Sequence, residues 1–197
     1  MYRRFIITSL MSLFLLLACS PTNETGEDDI ESLETTGTEQ NSTDNESKVY
    51  SELINGSGEK IGMATFQPYE DIVLIHVNAW NLPEGVHGIH IHEVGKCEGP
   101  SFATAEGHFN PFDAAHGFNH PEGPHAGDLP NIYVQADGTV NVTMTANLVT
   151  LDEEEPNSLL QSQGTSLVIH EKIDDYHSQP AGDAGDRIAC GVIEADA

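Results

Sequence analysis

Residues 85–97 read GVHGIHIHEVGKC, with three histidines inside six residues, then a carboxylate and a cysteine. In an extended strand, residues i and i+2 project from one face. His90 and His92 therefore stand side by side and can converge on one ion. His87 is an odd number of residues from both, so a regular strand turns it the other way. It is expected to be a hydrogen-bonded structural histidine.

The surrounding sequence repeats this extended character. Residues 49–54, 61–66, 71–80, 86–94, 165–173 and 186–195 read as strands, β-branched or alternating and bounded by turn residues. Residues 131–148 read as a hairpin turning at Ala-Asp-Gly. Segment 153–164, EEEPNSLLQSQG, predicts at most a helical turn. Eight short strands predict an all-β fold, an antiparallel sandwich or barrel. The long segments 95–130 and 174–186 have no periodicity of their own, and loops of that kind are usually functional.

The first 47 residues are expected to lie outside this fold. Arg3 and Arg4 precede an apolar stretch too short to span a bilayer comfortably, the pattern of a signal peptide. Cys19 follows a small residue where cleavage would fall, so residues 1–18 predict a lipoprotein signal and Cys19 a lipidated first residue. Residues 19–47 hold nine Asp/Glu and almost no large apolar side chain, which predicts a disordered acidic tether. The folded domain then spans 48–197. The expected location is extracytoplasmic, lipid-anchored at a cell surface or in a periplasm. With Cys19 modified, Cys97 and Cys190 remain as a pair, which an oxidising compartment would let form a disulfide. The balance of 32 Asp+Glu against 7 Lys+Arg argues against nucleic acid and against electrostatic binding to anionic lipid.

The loop 106–131 supplies His108, His116, His120 and His125, with Asp128 three residues after the last. A Gly/Pro-rich loop has little apolar content to order it, and a metal gripping several side chains would supply that order. Imidazoles with one carboxylate suit a closed tetrahedral zinc site, and imidazoles alone suit copper or zinc. A four-nitrogen copper site and a zinc site need eight donors. His90, His92, His108, His116, His125, Asp128 and His170 give seven, so one imidazole using both nitrogens would complete the set.

Taken together, GVHGIHIHEVGKC, GHFNP, HAGDLPN, LVIHEKIDD and GDAGDRIACGVI, in this order over about residues 49–195, resemble copper–zinc superoxide dismutase, particularly its bacterial lipoprotein-type members. The resemblance implies an eight-stranded Greek-key barrel with two long functional loops. It implies copper on His90, His92, His108 and His170, and zinc on His108, His116, His125 and Asp128, with His108 as the bridge. Asp174 would link His90 to His116, Cys97 and Cys190 would form the family's disulfide, and Arg187 would dock the substrate anion, superoxide. The implied catalytic residues are Arg187 and His108. A simple alternative for Arg187 is a surface pair with Asp183 or Asp186. His76, His120 and His177 match no ligand and are expected to be solvated or locally hydrogen-bonded. The rival function is a non-catalytic, anchored zinc/copper-binding lipoprotein. The oligomeric state stays open between monomer and homodimer.

Overall fold

The computed structural model describes residues 48–194, all of them outside the segment expected to be signal peptide and tether. Cys19 and its expected lipidation lie outside the described residues.

Nine strands form the described domain: β1 Val49–Asn55, β2 Lys60–Tyr69, β3 Ile72–Ala79, β4 Gly85–His87, β5 Ile89–His92, β6 Ile132–Val134, β7 Val140–Ala146, β8 Thr165–His170 and β9 Arg187–Ile193. The only helical element among the described residues is a 3-10 turn, Ala103–Ala105. All strand pairings are antiparallel, in the order β5-β8-β9-β1-β2-β3-β7, with β4 and β6 forming a second, two-stranded sheet.

Two sequence expectations change here. The segment 86–94 is not one strand. It breaks at Gly88, so β4 pairs with β6 while β5 pairs with β8. A side chain at Gly88 would crowd Ala184, Asp174 and His90, so the break sits where the chain packs tightly against the loop after β8. Segment 153–164 holds turns and no helix; Thr150 instead bridges to Ser158 and Leu159 is fully buried.

The period-2 pattern does what it predicts. In β3, Val73, Ile75, Val77 and Ala79 are buried while their neighbours are at least partly exposed. They join Leu53, Ile61, Phe66, Leu167 and Ile169 in the main core. Each such aliphatic or aromatic side chain contributes about 1.5–3 kcal/mol on full burial.

β5 and β8 differ, because every residue of both is buried. Ile89, Ile91, Leu167 and Ile169 belong to the main core. Their alternating partners His90, His92 and His170 face the other side, beneath the long loop. Val168 lies on that side in a smaller cluster with Phe102, Ala105 and Cys190. Covering a second sheet face with a loop is what turns an outward histidine face into an enclosed one.

Candidate metal centre

The loop between β5 and β6 is laid along the free edge of β5. Ile91 donates its N–H to Gly127 O and accepts from Phe109 N, both at 2.8 Å. Antiparallel bridges set His90 opposite Asp128 and His92 opposite His108. Gly127 is required at this approach, since a Cβ there would strike Ile91 O.

Two donor clusters result. The ligating atoms of His90, His92, His108 and His170 lie within 4.8 Å of one another, as do those of His108, His116, His125 and Asp128. All seven residues are buried. His108 belongs to both sets.

The hydrogen bonds decide which ring nitrogen each histidine turns inward. His90 Nε2 donates to Asp174 Oδ2 at 2.8 Å, His92 Nδ1 to Glu106 O at 2.8 Å, and His170 Nδ1 to Gly185 O at 3.2 Å. Each bond places the proton on the outward nitrogen of a neutral ring and leaves a lone pair on the inward one. His90 Nδ1 and His108 Nε2 are buried and have no hydrogen-bond partner among the described residues. An unmet buried polar atom costs about 1–3 kcal/mol, and a coordinated cation would meet it. Four convergent imidazole lone pairs fit copper.

The second cluster centres on one oxygen. Asp128 Oδ1 lies 2.9 Å from His108 Nδ1, 3.1 Å from His116 Nδ1 and 3.3 Å from His125 Nδ1. His125 Nδ1 lacks the alignment for a hydrogen bond and is buried without a partner. Zinc bonds of 2.0–2.1 Å arranged tetrahedrally give ligand–ligand edges of about 3.3 Å, so this spacing fits a zinc ion with little adjustment. Asp128 Oδ2 is held by the N–H groups of Gly117 at 2.8 Å and His125 at 3.0 Å.

Asp174 joins the clusters from outside. Its Oδ2 takes His90 and its Oδ1 takes His116 Nε2 at 3.0 Å. Asn131 holds the Asp174 backbone from both sides, donating Nδ2–H to its carbonyl and accepting its N–H, each at 2.9 Å. Gly182 (φ +66°) leaves room for the Asp174 carboxylate and His116, which a Cβ would displace.

The electrostatics of the protein groups follow. Burial lowers His90 to about 4 against the opposing bond to Asp174, His108 to about 3, and His170 to about 4. His92 is also lowered, by burial first and the His108 charge second. Burial opposes charge on His116, but its bonds to Asp128 and Asp174 outweigh that and raise it to about 9. Burial likewise disfavours ionised Asp128, yet the surrounding histidines and N–H groups hold it well below the usual carboxylate range. The copper-side rings are thus neutral, the state that ligates.

Arg187 opens β9 beside this site. It donates Nη1–H to Phe102 O at 2.6 Å and Nη2–H to Glu106 O at 2.5 Å. No carboxylate lies within ion-pair distance of it among the described residues, so the expected alternative of a pair with Asp183 or Asp186 is set aside: β9 aims the guanidinium inward, at carbonyls. A surface pocket of about 260 Å³, lined by Pro100, Ser101, Asp186 and Arg187, opens beside the guanidinium. Cys97 and Cys190 form a disulfide, 93 residues apart, tying the loop that carries Phe102 to β9.

The remaining histidines lie outside both clusters. His87 is buried with Nδ1 2.8 Å from His170 O and Nε2 2.9 Å from Pro83 O. His76 bonds Thr143, and His120 accepts from Glu122 N–H. Sequence reasoning missed Asn131 and the Phe102 and Glu106 carbonyls. Both carbonyls belong to non-glycine residues at positive φ, +52° and +61°, a backbone state no motif announces. Asn131 could have been suspected only from its place at the end of HAGDLPN.

Comparison with known proteins gives a consistent family. The family model described as copper/zinc superoxide dismutase matches residues 60–193. Two Cu-Zn superoxide dismutases of Aquifex aeolicus are 50% and 52% identical over 150 and 147 residues, covering 76% and 74% of this chain and 89% and 86% of theirs. Among solved structures, a double mutant of a superoxide dismutase-like protein from Bacillus subtilis has a TM-score of 0.72 at 42% identity, covering 74% of this chain and 97% of that one. The Cu/Zn superoxide dismutase of Brucella abortus has 0.62 at 29% identity, covering 75% and 100%.

Proposed function

The chain belongs to the copper/zinc superoxide dismutase family, whose reaction takes two superoxide anions and two protons to oxygen and hydrogen peroxide, and on that premise we propose how its residues divide the work. His90 Nδ1, His92 Nε2, His108 Nε2 and His170 Nε2 would hold copper. His108 Nδ1, His116 Nδ1, His125 Nδ1 and Asp128 Oδ1 would hold zinc. The observation that carries the copper side of this division is that His90, His92 and His170 each turn one nitrogen inward and spend the other on an outward bond. Copper bound there would supply the one-electron exchange of that reaction.

The chain's own residues supply the rest. Arg187, pinned by two carbonyls, keeps N–H donors and an uncancelled charge for a small anion at the pocket beside it. His108 Nε2 is the buried nitrogen placed to hold a proton and return it, while Nδ1 stays beside Asp128. Asp174 fixes His90 and His116 together, and the loop 93–131 excludes bulk water.

Residues 1–18 are read as a lipoprotein signal and Cys19 as the anchor, giving an exported enzyme held at the extracytoplasmic face. The Cys97–Cys190 disulfide supports this reading, since it suits an oxidising compartment and leaves Cys19 as the odd cysteine. Labelling with palmitate should mark the parent and not Cys19→Ser; equal labelling refutes the anchor.

The metal assignment is tested by metal analysis with a superoxide assay on the parent and His170→Ala. Copper and activity should fall together while zinc is retained. A variant as active as its parent ends the assignment.

A further inference from the structure

Two histidines outside the clusters meet across loops 57 residues apart in sequence. His120 sits in the zinc-side loop and His177 in the loop after β8. Their ring centroids are 6.0 Å apart with the planes 34° from parallel. The two clusters provide an internal yardstick: rings of the zinc-side set stand 5.1 to 5.5 Å apart, and those of the copper-side set stand 4.0 to 6.5 Å apart. The outer pair falls inside the copper-side range.

Both rings stand on fixed backbone. Asn119 donates its N–H to Tyr176 O at 2.9 Å, clasping the two loops one residue from each histidine. Phe118 packs edge-on against Tyr176 at 5.3 Å. His120 closes a turn on Gly117 O at 3.1 Å, and Asp175 holds His177 N–H at 2.9 Å. The loops therefore arrive already paired, with the two rings facing one another across the gap. His177 is exposed and His120 half-buried, so both are reachable from solvent.

We propose that His120 and His177 form a third metal site, at the surface, which takes a divalent copper or zinc ion through one ring nitrogen of each. His120 offers Nε2, since Nδ1 faces the Glu122 N–H at 3.2 Å; ligation moves the ring proton to Nδ1 and gives up that long contact. Copper(II) is the tighter of the two ions for a nitrogen pair. The domain's excess of 23 acidic over 5 basic side chains in residues 48–197 favours any cation at this surface. Water completes the coordination, which makes the site weak and exchangeable beside the two closed clusters. An ion there would fasten the two functional loops together. The proposal is independent of the assignment of the buried ligands.

Equilibrium dialysis of the metal-loaded enzyme against copper(II) chloride, with metal counted by mass spectrometry, reads the site directly. The parent should hold one exchangeable equivalent beyond those resident in the buried clusters. His120→Gln and His177→Gln should each weaken it about tenfold or more while keeping the resident metal, which also reports that they fold. His76→Gln, a histidine on β3 away from the loops, should leave it unchanged. Absence of the extra equivalent from the parent, its full retention in both loop variants, or its equal loss in His76→Gln overturns the proposal.

Discussion

His92 and His170 aim their Nε2 atoms at each other across 3.4 Å. Each ring spends its Nδ1 proton on a carbonyl, Glu106 O or Gly185 O, so two lone pairs face one another rather than a donor and an acceptor. That arrangement is unfavourable in a metal-free protein and favourable around a cation. It sets what the metal-free and metal-bound forms should each do.

The metal-free domain should be acid-labile well above the carboxylate range. His90, His108 and His170 have folded values of about 4, 3 and 4 against an ordinary 6.5. For a histidine lowered by folding, the unfolded chain gains protons first, so stability falls as pH drops below about 6.5 and levels near the folded values. His116, raised to about 9, works the other way: its contribution is full below 6.5 and lost as pH rises through 9. The melting temperature of the chelator-treated protein should therefore peak near neutrality and decline on both sides. A flat profile from pH 4 to 9 contradicts this.

Asp174→Asn should weaken both metals at once. The carboxylate serves His90 with one oxygen and His116 with the other, and an amide offers only one acceptor. Loss of such an orienting partner costs about 10–100-fold in metal affinity. Competition with a chelator of known affinity, run for copper and zinc separately, should show both losses.

Arg187→Gln should cut kcat/KM about 10–100-fold, the worth of one charge-assisted contact to the anion. Metal content should change little, because Arg187 hydrogen-bonds the Phe102 and Glu106 carbonyls and none of the ring nitrogens. Arg187→Lys should recover little, since one ammonium cannot reproduce the planar fork held by two carbonyls.

Asp186→Asn should raise the association rate at low ionic strength. Asp186 lines the pocket with Arg187 and is not paired to it. A unit charge one Debye length away, about 8 Å, is worth about 0.5 kcal/mol through water, roughly twofold in rate. The gain should vanish as salt is added. The parent itself should show a rate that is flat or rises with ionic strength, because the domain's net charge repels its substrate; a steep fall reveals an attractive field elsewhere.

Cys97→Ser with Cys190→Ser should lower stability to urea by about 4–5 kcal/mol on the chain-entropy account of a loop of this length. Activity should also fall, because the bridge ties the loop bearing the Phe102 carbonyl to the strand bearing Arg187.

Much of this was legible in the sequence. Alternation at period 2 fixes β3 and the inward face of β2, and His90 with His92 share a face because two residues apart in a strand always do. The donor count required one ring to serve twice, and the ordered motifs named the family. These are local rules, and a one-dimensional string carries them. What lay beyond it was set by contact between distant backbone. The break at Gly88, the approach of Gly127 to Ile91, and the left-handed carbonyls of Phe102 and Glu106 all depend on which segment arrives opposite. The choice of inward nitrogen on each ring depends on them in turn. Residue type and spacing mark the side chains able to hold ions, while the atom each turns inward depends on the fold, because it follows from where a partner carbonyl or carboxylate comes to rest.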